Sequence, residues 1–165
     1  MAQDHSFDVV SKVNLQELRN ALSQAQKEIA TRFDFRGSSA SVAFDESSGI
    51  LKATADHQAQ LRSVVDVIES KLAKRGVALR AFSWKEPEQL PGGTVKQQAA
   101  LQQGLSSENA KTITKTIKDM SLKVQPRIEG DMIRISSRQI DELQAVMQSL
   151  KGKDFGVPLQ FENYR

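Results

Sequence analysis

The sequence contains no cysteine, which excludes disulfide bonds, thiolate catalysis and zinc sites built on cysteine. Its two histidines, His5 and His57, have no carboxylate or second histidine at a metal-ligand spacing. No apolar run approaches the roughly 18–20 residues that cross a bilayer. Residues 1–6 lack the basic and apolar regions of a secretory signal. We therefore expect a cytoplasmic protein with no metal site and no membrane segment.

The usual signatures of an enzyme are also missing. The chain has no Gly-x-Ser-x-Gly, no Walker lysine and no Gly-x-Gly-x-x-Gly. Gly92-Gly93 stands alone before a predicted strand and does not open a helix, as a phosphate loop would. The paired acids Asp45-Glu46 and Asp141-Glu142 lie in a predicted turn and at a predicted helix start. We expect no catalytic residue, no cofactor and no enzymatic activity.

The length allows one domain or two small ones, and the net charge is compatible with an anionic partner. The chain has 165 residues, a net charge of +3 and an isoelectric point near 9.2. Residues 1–93 carry 12 basic and 12 acidic side chains, whereas residues 94–165 carry 11 and 8. The whole positive excess therefore lies in the second part of the chain.

The hydrophobic pattern predicts the element order βαββαβ, written twice. In the first copy a strand at 6–10 precedes a helix capped by Asn14, a hairpin over 39–55, a helix capped by Asp56 and a strand over 79–84. The second copy has a strand over 94–102, a helix capped by Ser106, a hairpin over 122–136, a helix and a strand over 158–163. Residues 87–93, rich in proline and glycine, are predicted to be a linker or long loop.

The two copies superpose with a constant offset of 82 residues. Leu51 and Ile133 are separated by this offset, and so are the pairs Ala53 and Ile135, Leu61 and Leu143, Val64 and Val146, and Ile68 and Leu150. The predicted fold is α+β: a tandem duplication of the ferredoxin-like βαββαβ sandwich, with two helices on one face of each four-stranded antiparallel sheet.

The face of each sheet without helices is a candidate nucleic-acid surface. Alternation places basic side chains outward on the hairpin strands, and it places Arg80, Phe82 and Trp84 together on one face of their strand. The strands 50–55 and 132–136 carry no aromatic, so sequence-specific RNA reading by base stacking is not expected. Backbone-driven binding and an ordinary solvated face remain alternatives. The candidate residues are Lys52, Lys123, Arg127 and Arg134.

Residues 31–37, Thr-Arg-Phe-Asp-Phe-Arg-Gly, are predicted to pass from a helix into an extended segment. In an extended chain Phe33 and Phe35 share one face, and the charged residues between and beside them share the other. An arginine fork can hold two phosphate oxygens, and a phenylalanine can stack a base. The alternative is a junction whose phenylalanines lie in the core and whose charges are solvated.

Five separated blocks of the sequence stand out: Ser6–Ser11, Thr31–Gly37, Lys74–Gly76, Thr94–Gln97 and Pro158–Arg165. In these blocks and their order, the chain resembles the YajQ family of bacterial proteins over essentially the full length. The resemblance implies two ferredoxin-like domains that exchange their N-terminal strands. The first would span 14–103 and use the strand 94–102, and the second would span 104–165 and use the strand 6–10.

The same resemblance implies nucleotide binding, with ATP, GTP or cyclic di-GMP as ligands and with RNA or a DNA-binding regulator as further partners. The cations at the C-terminal end of the second helix would extend a positive surface. The C-terminal residues of the chain would offer side-chain amides that can hydrogen-bond a base, and one further cation. The alternatives are an RNA-binding protein that uses the sheet faces and a protein-interaction module without a small ligand. The candidate nucleotide-binding residues are Arg32, Phe33, Phe35, Arg36, Lys74, Arg75, Arg80, Gln160, Asn163 and Arg165.

Overall fold

The computed structural model describes residues 4–165. Its helices are α1 (Leu15–Thr31), α2 (Gln58–Lys74), α3 (Ser107–Asp119) and α4 (Ile140–Lys151), and two 3-10 turns span Phe33–Phe35 and Leu79–Ala81. The strands are β1 (His5–Val10), β2 (Ser41–Asp45), β3 (Ile50–Ala55), β4 (Phe82–Trp84), β5 (Glu88–Gln89), β6 (Val95–Leu101), β7 (Gln125–Glu129), β8 (Met132–Ser137) and β9 (Gln160–Glu162). None of the helices within 4–165 is long and apolar enough to cross a membrane.

Two compact units account for these elements. The first unit consists of residues 13–102, and its antiparallel sheet has the order β2-β3-β6-β4, with the short β5 also paired to β6. The second unit consists of residues 4–12 and 103–165, with the sheet order β7-β8-β1-β9. Strand β1 thus lies in the second unit between β8 and β9, and β6 takes the corresponding central place in the first. The duplicated ferredoxin-like fold with exchanged strands is confirmed.

The repeated hydrophobic positions form the cores of both units. Leu51 and Ile133, on the equivalent strands β3 and β8, are each 0% exposed. The other residue pairs separated by 82 positions are buried as well, on the same strands and on α2 and α4. The offset of 82 residues therefore holds for both sandwiches, because side chains at equivalent positions must face the helices in each unit.

The predicted helix starts are confirmed at two of three places. The Asn14 Oδ1 atom accepts from the N–H groups of Gln16 and Glu17, and Ser106 caps α3. The predicted cap of α2 is wrong. His57 holds that position, and its Nδ1 atom accepts from the Gln60 N–H at 3.2 Å. Asp56 instead accepts two hydrogen bonds from Ser39, so the helix begins one residue later.

Residues 87–93, predicted to be a linker or long loop, contain a short strand. Glu88 and Gln89 form β5 and pair with Lys96 and Val95, so this stretch is a hairpin within the first unit. The turn is closed by the Leu90 N–H, which donates to the Thr94 carbonyl at 2.7 Å. Gly92 and Gly93 both have a positive φ in this turn, a conformation that glycine adopts without steric cost.

The predicted face of Arg80, Phe82 and Trp84 does not exist. Residues 79–81 form a 3-10 turn, so extended alternation begins only at Phe82. Phe82 is buried against Phe44 in an edge-on contact of 6.3 Å between ring centroids. Phe82 and Trp84 both pack against the core on the helix side of the sheet. The open face of the first unit therefore gains no aromatic side chain from β4.

Candidate functional site

The stretch after α1 is a turn, and the extended conformation predicted for it is wrong. Phe33–Phe35 form a 3-10 turn in which the Arg36 N–H donates to the Phe33 carbonyl at 3.2 Å. Successive side chains of such a turn are about 120° apart, so residues i and i+2 point in different directions. Phe35 is 4% exposed and belongs to the core, whereas Phe33 is 85% exposed. One ring therefore packs in the core, and the other lies on the surface.

Arg32 is bound within the turn. Its Nε and Nη2 atoms donate to the two carboxylate oxygens of Asp34 at 3.0 and 2.7 Å, and Glu28 lies 3.6 Å from its Nη1. The guanidinium also lies 4.7 Å from the Phe35 ring centre. The hydrogen bonds from Arg32 hold the pKa of the Asp34 carboxyl below its ordinary value. Arg32 therefore shapes the turn, and its charge is compensated before any ligand arrives.

Arg36 and Phe33 form the exposed half of the turn. The Arg36 guanidinium lies 5.9 Å from the Phe33 ring centre, within the range of a cation–π contact. No carboxylate within residues 4–165 pairs with Arg36. We call this pair the Phe33–Arg36 platform. It presents an exposed aromatic ring with an uncompensated guanidinium over it.

The platform stands beside the start of α2. The Gln60 side chain donates to the Asp34 carbonyl at 3.4 Å, which ties the turn to the first turn of that helix. Asp56, just before the helix, is hydrogen-bonded by the side chain and N–H of Ser39, and these bonds lower the pKa of its carboxyl. The N-terminus of a helix carries a partial positive charge. The start of α2 thus adds partial positive charge beside the turn, while the carboxylates of Asp34 and Asp56 add negative charge there.

The other predicted residues of the first unit lie at the far end of α2. Lys74 is the last residue of the helix, Arg75 pairs with Glu17 at 3.6 Å, and Arg80 is exposed in the second 3-10 turn. From Gln60 to Lys74 the helix rises about 20 Å. The structure therefore does not bring these three cations to the platform.

The tail residues have structural partners in the second unit. The Gln160 side chain accepts from the Lys12 N–H, and the Asn163 amide donates to Asp8 at 2.8 Å. Asp8 is opposite Glu162, yet Ser6 exchanges two backbone hydrogen bonds with Arg165, so the tail contains one extra residue. Asn163 takes a φ of +57° at this bulge. The tail is an ordered end of the sheet.

Asp8 is an important residue that the sequence reasoning missed. It is 1% exposed and receives hydrogen bonds from Arg134 at 3.0 and 3.4 Å as well as from Asn163. Burial by itself raises the pKa of a carboxyl, but here the contacts of Arg134, Asn163 and Arg165 prevail and lower it. The available signal was a single acid within the apolar strand Phe7–Val10.

The candidate nucleic-acid residues differ in how far their charge is compensated. Arg127 pairs with Glu129, and Arg134 pairs with both Asp8 and Glu129. Lys52 and Lys123 are exposed and have no ion pair within residues 4–165. The open face of the second unit is therefore less basic at its centre than its composition predicted. In the part of the chain described, no three His, Asp or Glu side chains are grouped to hold a metal ion.

The fold and the platform define a class: a duplicated ferredoxin-like α+β protein with one aromatic–arginine turn in its first unit. Residues 5–165 match the model of the family described as nucleotide-binding protein YajQ-like. The chain belongs to this family.

Relatives of similar length support the assignment. A protein of Carboxydothermus hydrogenoformans is 48% identical over 165 residues, which cover 100% of both chains. A protein of Rhodococcus opacus is 50% identical over 163 residues, covering 98% of this chain and 99% of its own. A protein of Chloroherpeton thalassium is 44% identical over 100% of both chains. All three carry the name nucleotide-binding protein.

Proposed function

We propose that this protein binds a nucleotide at the Phe33–Arg36 platform, with the base stacked on Phe33 and a phosphate held by Arg36. The observation that carries the proposal is an 85% exposed phenylalanine beside a guanidinium that no carboxylate of residues 4–165 neutralises. The relatives named above, which carry the name nucleotide-binding protein, support the same ligand class.

The energetics of the platform favour a flat, charged ligand. Stacking of a base on an aromatic side chain contributes about 1–3 kcal/mol. An arginine fork adds charge-assisted hydrogen bonds to phosphate oxygens. Arg32 and Phe35 hold the turn from within, so the platform is positioned before the ligand binds. ATP, GTP and cyclic di-GMP all offer a base and phosphate, and titration must choose among them.

The test is calorimetric titration of the full chain with ATP, GTP and cyclic di-GMP, at low and moderate salt. We expect one of them to saturate, and Phe33→Ala and Arg36→Ala each to weaken its affinity roughly 5- to 150-fold. Lys115→Ala, which removes an exposed charge of the second unit, is the matched control and should bind normally. Full affinity in both platform variants would refute the site.

A short single-stranded RNA in the same titration separates the alternative function. Binding through several phosphates weakens steeply as salt rises, whereas a stacked mononucleotide is less affected. RNA binding with a steep salt slope that Lys52→Ala reduces would favour the sheet face over the platform.

We further propose that the protein binds its nucleotide without converting it. The most obvious candidate for acid–base chemistry near the platform, His57, uses its Nδ1 atom to accept the Gln60 N–H, and Asp34 is held by Arg32. Prolonged incubation with ATP and GTP should leave both intact. Nucleoside diphosphate formed above the protein-free rate, and lost in Phe33→Ala, would show catalysis.

A further inference from the structure

A polar groove runs over the β7 edge of the sheet of the second unit, where Lys118 near the end of α3 also lines it. A depression of about 540 Å³ and another of about 340 Å³ share the lining residues Asp4, Val124, Gln125 and Ser136, so they form one continuous feature. We call it the β7–β8 groove. Its basic lining residues are Lys118, Lys123, Arg127, Arg134 and Arg138.

The strand register explains how the groove is built. Gln125 is opposite Ser136, and Ser136 is opposite Ser6, so an amide and two hydroxyl groups form a neutral row across three strands. Two residues further along, Arg127 is directly opposite Arg134. On the other side of the row, Lys123 lies in the bend two residues before Gln125, outside β7. The neutral row thus lies between two groups of cations.

Like charges on facing strand positions repel each other unless an anion lies between them. At one end Glu129 contacts both arginines, and Asp8 holds Arg134. At the other end Arg138 has only a 3.8 Å contact with Asp4, between side chains that are 80% and 61% exposed. Lys118 and Lys123 have no ion pair within residues 4–165. The groove therefore keeps three poorly compensated cations around hydrogen-bond donors.

We infer that the β7–β8 groove binds a condensed phosphate chain, of two or more linked phosphate groups, at a site separate from the Phe33–Arg36 platform. Serine hydroxyls and the glutamine amide donate hydrogen bonds to phosphate oxygens, and the lysine and arginine side chains neutralise them. The lining residues include no aromatic, so recognition depends on the phosphates and not on a base. This phosphate chain is either a free polyphosphate or the phosphate tail of a nucleotide.

The probe is inorganic tripolyphosphate, titrated calorimetrically into the full protein. The variant Lys118→Ala/Lys123→Ala/Arg138→Ala removes the poorly compensated cations and leaves Arg134, which holds Asp8, in place. The control Lys27→Ala/Lys111→Ala/Lys153→Ala removes the same charge from exposed positions outside the groove. We expect tripolyphosphate affinity to fall at least tenfold in the first variant and less than twofold in the control, while circular dichroism and Tm show both folded.

The outcomes separate this site from the platform. Tripolyphosphate binding that survives Phe33→Ala supports the groove whatever the fate of nucleotide binding. ATP that competes with tripolyphosphate and weakens in the groove variant indicates a nucleotide tail, whereas tripolyphosphate alone indicates a free chain, and both support the proposal. Equal weakening in the two triple variants, no binding by the wild type, or binding of single-stranded RNA but not tripolyphosphate would overturn it.

Discussion

The two units differ most where their first helix leads into the following strand. Nine residues, 32–40, connect α1 to β2, whereas five residues, 120–124, connect α3 to β7. The longer connection contains the 3-10 turn with Phe33 and Phe35, and the shorter one turns through Ser121 at a φ of +55°. The two units thus share the repeated core, while the platform lies in the longer connection, which only the first unit has.

The open sheet faces of the two units also differ, in the charges at their centres. Arg134 is opposite the buried acid Asp8 in the second unit, and the equivalent residues of the first unit are Lys52 and Gln98. Asp8 and its partners form a compensated network, whereas Lys52 has no ion pair within residues 4–165. Equal topology therefore does not imply equal electrostatics, because outward positions are not constrained by core packing.

The sharpest test of the turn at 33–35 compares its two rings. Phe35→Ala should lower the free energy of unfolding by about 3–5 kcal/mol, because it leaves a cavity in the core. Phe33→Ala should change it by no more than about 0.5 kcal/mol, because the ring is exposed. Urea unfolding followed by circular dichroism measures both. Similar losses in the two variants would mean that the turn does not divide its rings between core and surface.

Equivalence of the two cores predicts similar costs at repeated positions. Leu51→Ala and Ile133→Ala should each destabilise the protein by about 2–5 kcal/mol, since both side chains are fully buried at the same place of the repeat. Hydrogen exchange of the surrounding strands reports each unit separately. A negligible effect at one of the two positions would break the proposed correspondence.

Asp8 should distinguish the second unit by its pH dependence. Asp8→Asn should cost roughly 1.5–3 kcal/mol at neutral pH, because Arg134 loses a charged partner. The folded-state pKa of Asp8 lies below its unfolded value near 3.9, so its contribution is present above that pH and is lost as the pH falls through the folded pKa.

The measurement is the free energy of unfolding between neutral pH and about pH 2, for the wild type and Asp8→Asn. The difference between the two proteins should shrink as the pH falls. A difference that stays constant over the whole range would show that the charge of Asp8 contributes nothing. Asp34→Asn, at an exposed ion pair of the first unit, serves as the control and should change stability much less.

The smallest effect concerns the backbone after the platform. Gly37 has a φ of +70°, and an added Cβ would meet no atom within 4 Å, so Gly37→Ala costs only the strain of a left-handed residue, about 1–2 kcal/mol. Gly152, which lacks a positive φ, is the matched control, and its alanine variant should be neutral or slightly stabilising. Thermal unfolding of both variants tests the difference. Equal shifts would mean that the turn does not require its glycine.

Much of the fold was predictable because it depends on local periodicity. The stripes of α1 and α2 and the alternation of β3 and β8 indicated which side chains face the core, and the caps at Asn14 and Ser106 follow from local hydrogen bonding. The prediction for the cap of α2 was wrong, and the short strand within residues 87–93 was not predicted, because contacts between segments distant in the chain decide both. Asp56 bonds Ser39 across the unit and leaves the cap of α2 to His57. The hairpin at 87–96 depends on pairing with β6, which composition cannot show.

The candidate site shows the same division. The sequence by itself determined the duplicated sandwich and placed Phe33, Phe35, Arg32 and Arg36 in one stretch, because periodicity and adjacency are properties of the chain. Only the folded structure decided which ring is buried and which of the two arginines flanking Asp34 pairs with it, since both depend on the 3-10 turn and on how it packs on the core. Asp8 likewise receives its hydrogen bonds from Asn163 and Arg134, residues 155 and 126 positions away. Contacts between residues so far apart in the chain are set by the folded sheet and leave no local pattern in the sequence.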